Sequence, residues 1–190
     1  MPELALFPLN TVLFPGGLLP LRIFETRYVD MIGRCMRGGD AFGVVLVRGG
    51  SDTDHEVETA AVGTSARIVD FQTLEDGLLG ILCHGERRFR IGTRSRRPDG
   101  LNYALIDWLE DARTPIPDQF RPMVVILRRA LSRLKTIGRH MQPDYEDACW
   151  IAYRFAELLP LEHGLQQQLL ETDDPQARLA LLAPLLDLKA

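Results

Sequence analysis

The feature that most limits the fold is residues 6–32, LFPLNTVLFPGGLLPLRIFETRYVDMI, a stretch both densely apolar and repeatedly broken. Pro8, Pro15, Pro20 and the Gly16-Gly17 pair interrupt it. A bilayer-spanning helix needs about 20 consecutive apolar residues, and interior proline removes a helix hydrogen bond and clashes with the preceding turn. The stretch therefore does not read as a membrane helix. It does not read as a secretory leader either, because Glu3 is the first charge and no Lys or Arg precedes Arg22. A cytoplasmic protein with no membrane partner is the expectation. What remains is short strands joined at sharp corners: residues 4–7, then 12–14 closed by Pro15-Gly16-Gly17, then 18–23. Pro20 places the third at a sheet edge or a bulge.

Downstream the period changes. Tyr28, Met31, Ile32, Cys35 and Met36 recur on one helical face, with Thr26 as the expected N-cap and Gly38-Gly39 as the stop. Residues 41–47 form a continuous apolar run, predicting a strand buried on both faces. Residues 48–58 are glycine-rich and charged, an expected exposed loop. Strands follow over 62–74 and 78–84 around the Asp76-Gly77 turn signal. After a break at Gly85 comes a strand over 87–91, with Phe89 and Ile91 facing away from Arg88 and Arg90, and a last one over 103–109.

Composition then shifts at 110–117, EDARTPIP, read as a linker. Phe120, Val124, Leu127, Leu131, Leu134 and Ile137 make an amphipathic stripe ending at Gly138. Asp144 with Asp147 resembles a capping box opening a helix over 145–159. A short helix follows around 165–170. Asp174-Pro175 caps one over 176–188, which Pro184 kinks or shortens. The fold class is α+β: a β-rich lobe with one helix over 1–115, then an all-helical lobe over 116–190.

The chemistry-bearing motifs are sparse. Lys135 and Lys189 are the only lysines in 190 residues, and neither follows a glycine, so there is no phosphate-binding P-loop. Cys35, Cys83 and Cys149 lie far apart and form no C-x-x-C, which points to reduced, buried thiols. The histidines His55, His84, His140 and His163 lack metal-ligand spacing. Ser132 and Lys135 match S-x-x-K, but on a helix whose buried face is claimed by Leu131 and Leu134. Cys83 and His84 are neighbours on a strand, so their side chains point to opposite faces. No catalytic residue, no metal and no cofactor is expected.

Two binding surfaces remain. Around the first turn, Phe14 and Leu18 are expected to stay exposed as a groove for an extended peptide, with Pro15 and Arg22 as further contacts. Arg87, Arg88, Arg90 and Arg94, with Arg96 and Arg97 beyond them, concentrate positive charge. Arginine clusters hold nucleic-acid backbones, yet Phe89 is the only nearby aromatic and the net charge of −4 gives no global attraction to phosphate. A strand face neutralised by acids such as Glu86 and Asp99 is the simpler reading.

Leu6-Phe7-Pro8-Leu9, Val12-Leu13-Phe14-Pro15-Gly16, Leu19-Pro20-Leu21, Ile23-Phe24-Glu25 and Arg27-Tyr28 resemble the opening of the Lon protease N-terminal domain, above all small standalone bacterial members of that family. Val62-Gly63-Thr64-Ser65-Ala66-Arg67-Ile68 and Gly85-Glu86-Arg87-Arg88-Phe89-Arg90-Ile91 resemble its central strands. Leu158-Leu159-Pro160, Leu169-Leu170-Glu171, Asp173-Asp174-Pro175 and Arg178-Leu179 resemble its helical tail. The resemblance implies a PUA-like pseudo-barrel followed by a helical bundle. In full-length Lon this region recognises substrates and contributes to assembly, ahead of ATPase and protease domains that this sequence does not contain. Cereblon carries a similar domain with a zinc-bound module, for which no matching cysteines occur here. The expectation is a non-enzymatic protein- or peptide-binding module, an adaptor in proteolysis or quality control. Its expected partners are unfolded or peptide-like protein segments and a protease system, with homo-oligomerisation compatible and nucleic acid disfavoured. The alternative is an RNA-binding protein that uses the PUA-like fold and the arginines of 87–97.

Overall fold

The computed structural model describes residues 1–49, 58–133 and 142–186. The chain divides into two compact units, Met1–Glu110 and Asp111–Ala190.

The first unit is a strongly bent sheet closed on itself. Its strands are β1 (Glu3–Leu9), β2 (Leu18–Ile23), β3 (Phe42–Gly49), β4 (Glu58–Thr59), β5 (Val62–Thr73), β6 (Leu79–Arg96) and β7 (Asn102–Trp108), with helix α1 (Thr26–Gly38) between β2 and β3. The order β1-β7-β6-β5-β3 is closed by a parallel pairing of β1 with β3, Leu6 opposite Gly43 and Leu9 opposite Leu46. β2 lies off this ring and, among the described residues, pairs only with β6. Closure satisfies the backbone groups that an open sheet would leave at its edges. Irregular register between Thr64 and Ala66, between Ile68 and Asp70, and between Ile91 and Arg94 supplies the bends.

Two glycines make that curvature possible. A Cβ at Gly43 would lie 2.6 Å from Phe89 Cζ and one at Gly63 2.8 Å from the same atom. The Phe89 ring, fully buried, thus fills the space two absent side chains leave. Around it pack Leu4, Leu6, Val45, Ala104 and Ile106. A second apolar cluster joins the buried face of α1 (Tyr28, Met31, Ile32, Cys35) to β-strand residues such as Phe7, Phe42 and Cys83. The continuous burial of Phe42 through Leu46 matches the two-sided burial expected of that run.

The corner after Phe14 differs from expectation. Residues 12–14 are not a strand, although Val12, Leu13 and Phe14 are all buried. Their carbonyls are used otherwise: Leu13 O accepts from the buried Thr64 hydroxyl at 2.6 Å, and Phe14 O from Gly17 N at 3.0 Å. Pro15 occupies the second position of that turn and Gly16 the third, with φ +74°, a type II turn. The turn docks on β6 through Gly85, whose N–H donates to Gly17 O at 2.9 Å while Gly16 N donates to Gly85 O at 2.8 Å. Gly85 therefore does not break the strand, and β6 runs uninterrupted through it. Helix α1 begins at Thr26 after Glu25, so Thr26 is not its N-cap, whereas Gly39 closes it at φ +70° as the glycine pair suggests.

The second unit contains, among the described residues, α2 (Arg121–Ser132), α3 (Ala148–Leu158), α4 (His163–Glu171) and α5 (Pro175–Leu182). The expected capping box is absent. Asp147, not Asp144, caps α3, accepting from Cys149 N at 3.2 Å and Trp150 N at 3.3 Å, so the helix starts three residues later than its pattern suggests. Asp144 instead takes Arg113 with both oxygens, at 2.8 and 3.0 Å. Asp174 caps α5 and Pro184 shortens it to a final 3-10 turn over Ala183–Leu185.

The stretch read as a linker is bound into this unit. Asp111 accepts from Arg178 Nη2 at 2.9 Å and from the Tyr153 hydroxyl at 2.8 Å, Thr114 N donates to Asp147, and Ile116 is buried. Residues 50–57, with most of the expected loop and His55, lie outside the described residues, as do 134–141, with Lys135, His140 and the end of the Phe120 stripe, and 187–190, with Lys189.

Candidate functional site

A cleft of about 460 Å³ opens in the first unit where β1 ends, β2 ends and α1 begins. Pro8 and Leu9 form one wall, Leu21 and Ile23 another, and Phe24 and Tyr28 line the start of α1. Its lining is mainly apolar, with Asn10, Arg22 and Glu25 adding polar groups. Phe24 is 70% exposed, the most exposed large apolar side chain among the described residues, just above Met1. Its position follows from strand alternation: Ile23 ends β2 pointing into the core, so the next side chain points out. A second cleft of about 400 Å³ also borders β2, lined by Pro20, Arg22, Asp70, Phe71, Leu74 and Leu82. Phe71 there is 59% exposed. Leu21 and Arg22 line both clefts.

The charged groups at the first cleft are paired within the chain. Arg22 forms an ion pair with Asp76 of the β5–β6 turn. Glu25 takes Arg27 Nη2 at 2.8 Å and Nε at 3.0 Å, and Arg27 also donates to Gly100 O. Among the described residues, the two charged side chains that line the cleft, Arg22 and Glu25, are therefore both ion-paired.

The sequence-predicted contacts distribute unevenly over this geometry. Arg22 lines both clefts. Leu18 is half-buried on β2, and Pro15 sits in the type II turn. Phe14 is fully buried, which corrects its expected exposure: its ring belongs to the interior. Phe24, Leu9 and Tyr28 escaped the sequence reading. The Ile23-Phe24 pair was the available signal, since two successive large apolar residues at a strand end cannot both face inward.

The arginines of β6 do not form one patch. Arg88 is fully buried, which corrects its placement on a solvated face. Arg87 pairs with Glu110 at 2.7 Å and stacks over Trp108, 4.7 Å from the ring centre. Arg90 lies opposite Asp107 in the β6–β7 ladder. Arg94 reaches Thr59 O, and burial pushes its pKa down. Arg97 pairs with Glu3 and covers the Tyr103 ring. Glu86, expected to neutralise them, is instead held by Arg67 at 2.5 Å.

The thiols and the serine are likewise engaged. Cys83 is fully buried and its pKa is pushed up to about 12 by burial. Cys149 rises to about 11 by burial, opposed by Arg178 beside it, and Cys35 is raised for the same reason of burial. Such groups are protonated and unreactive at neutral pH. The Ser132 hydroxyl donates to Arg129 O within its own helix. Among the described residues no three His, Cys, Asp or Glu side chains gather as metal ligands, and no helix is long and apolar enough to cross a membrane.

The first unit is thus a closed β-barrel with a cleft at its rim, and the second unit is helical among the described residues. The chain belongs to the family of the ATP-dependent protease La (LON) substrate-binding domain, whose model matches residues 3–187. It is 36% identical to the crystal structure of a Lon N-terminal domain protein from Xanthomonas campestris, with a TM-score of 0.81 over 97% of this chain and 98% of that one. The N-terminal domain of Mycobacterium avium complex Lon protease shares the fold at 18% identity, TM-score 0.66, covering 96% and 97% of the two chains. Lon protease of Cytophaga hutchinsonii is 27% identical across 94% of this chain but only 23% of its own length. The chain thus spans less than a quarter of that curated relative.

Proposed function

We propose that this protein is a non-catalytic recognition module that holds apolar segments of unfolded proteins in the cleft beside β2, and that it serves as an adaptor in proteolysis or quality control. One observation carries the reading: Phe24, 70% exposed, stands at a mainly apolar cleft whose charged lining residues, Arg22 and Glu25, are ion-paired. Isolated exposed apolar residues are ordinary, but one at the mouth of a concave apolar surface marks a binding site. Family membership supports the same assignment, as the matching model describes a substrate-binding domain. The sequence supports the non-catalytic part, for it has no P-loop and its Ser132 hydroxyl is committed to its own helix. The partners are unfolded or peptide-like segments and a protease system. RNA binding is disfavoured, because the arginines it needs are dispersed, paired or buried.

The test is binding of a fluorescent, reduced and carboxymethylated protein that cannot refold, followed by anisotropy. The unfolded form should bind and its native counterpart should not. Burial of a phenylalanine side chain is worth about 1.5–3 kcal/mol, so Phe24→Ser should weaken binding by about tenfold or more at an unchanged unfolding midpoint. Equal binding of native and unfolded forms, or an unaltered affinity of the variant, would overturn the proposal.

A further inference from the structure

The ladder between β2 and β6 fixes which backbone groups of β2 are unused. Gly85 N donates to Gly17 O at 2.9 Å, and the register then runs Leu18 opposite His84, Leu19 opposite Cys83 and Pro20 opposite Leu82. Antiparallel pairs alternate between hydrogen-bonded and non-bonded positions. Residues 19, 21 and 23 therefore bond to β6, and residues 18, 20 and 22 turn their backbone groups away from it. Pro20 sits where it lacks no ladder bond, because its nitrogen faces outward. Among the described residues no strand pairs with that outward edge. The edge offers N–H donors at Leu18 and Arg22 and carbonyl acceptors at Leu18, Pro20 and Arg22.

Resting on the cleft reading above, we infer that β2 is the docking strand: an extended, uncharged segment of an unfolded chain adds to its outer edge and drops alternate side chains into the cleft. The side chains of Leu19, Leu21 and Ile23 point to the same face as that cleft, and all three pack on the core beneath it. Every second residue of an added strand points the same way. Charge selects the occupant. The two charged residues lining the cleft, Arg22 and Glu25, already hold Asp76 and Arg27, so a charged guest residue entering it would be desolvated without a partner. A second copy of this chain fits worse than a peptide, since antiparallel self-pairing across Pro20 would bring two donor-less positions into one short ladder.

The experiment uses the full chain and a synthetic uncharged peptide alternating valine and threonine, N-methylated at one backbone position at a time. Methyl groups on amides facing β2 should weaken binding about three- to tenfold each, and those on the intervening amides should leave it unchanged. Hydrogen exchange at the Leu18 and Arg22 amides should slow on peptide addition. A flat methylation profile, or unchanged exchange at both amides while the peptide binds, would overturn the docking-strand assignment and leave the cleft proposal standing. Amides already slow in the free protein that speed up on dilution would assign the edge to a second copy and likewise overturn it. Failure of the unmethylated peptide to bind would sink both.

Discussion

The two units bury arginine and apolar surface by different means. The barrel unit is held by backbone: a type II turn docks on Gly85, a parallel β1–β3 ladder closes the ring, and Phe89 fills the room left by Gly43 and Gly63. The helical unit is held through charged side chains. Arg178, with no exposure, donates to Asp111, to Thr172 O at 2.6 Å and to Cys149 Sγ at 3.6 Å, and lies over the Tyr153 ring. Arg154, equally buried, meets Glu157 with two nitrogens at 3.1 Å. A closed sheet satisfies its own polar backbone, so its interior is mainly apolar, with Arg88 the charged side chain buried there among the described residues. Short helices leave chain ends and connecting segments that need side-chain partners, and here buried arginines provide them.

The sharpest way to break this contrast is to remove one partner on the helical side. Arg178→Met leaves Asp111 without its buried cation and should destabilise the protein by about 3–5 kcal/mol, read from denaturant unfolding. The double variant Arg178→Met with Asp111→Leu should recover much of that loss. If it does not, geometry rather than charge governs the unit.

The barrel side should fail through sterics instead. Gly63→Ala drives a Cβ against the Val44 carbonyl, Val45 and Phe89, and should lose about 1–3 kcal/mol or more. Phe89→Leu added to it should return part of the stability by clearing the ring. A neutral Gly63→Ala would mean that the barrel is looser than its packing indicates.

A third prediction separates the units by pH. Burial pushes Glu157 from its ordinary 4.5 up to about 7, with Arg154 pulling the other way. The folded state then holds a proton that the unfolded state has already released, so stability should fall as pH rises from about 4.5 to about 7 and level off above it. Glu157→Gln should flatten that slope. An unchanged slope would assign the pH dependence elsewhere. The smallest effect concerns the thiols: with Cys83 near 12 and Cys149 near 11, iodoacetamide should label the native protein at pH 8 no faster than it unfolds. Prompt labelling of Cys149 would show that the ionic cluster around Arg178 opens readily.

Local signals were legible wherever a short segment satisfies itself. Asp174-Pro175 caps a helix, Asp76-Gly77 turns a hairpin with Gly77 at φ +81°, and Tyr28, Met31, Ile32 and Cys35 mark the buried face of α1. Asp144 was misread because two aspartates three apart look alike in sequence, and only Arg113 decides which is free to cap. Half of the cleft was legible for the same reason: Arg22 is exposed by alternation within its own strand, whereas Leu9 and Tyr28 join it through contacts that cross the fold.

Residue order alone determined that the greasy opening must fold into broken strands, that the chain passes from period two to helical period near residue 110, and that no P-loop is present. Those follow from φ restrictions at proline and glycine and from side-chain periodicity, both properties of neighbours in sequence. Tertiary structure decided that Phe14 is interior and Phe24 exterior, that Arg88 is buried, and that no strand among the described residues pairs with the outer edge of β2. Each of those depends on which distant strand lies alongside, and hydrogen-bond partners far apart in the chain leave no mark on local sequence.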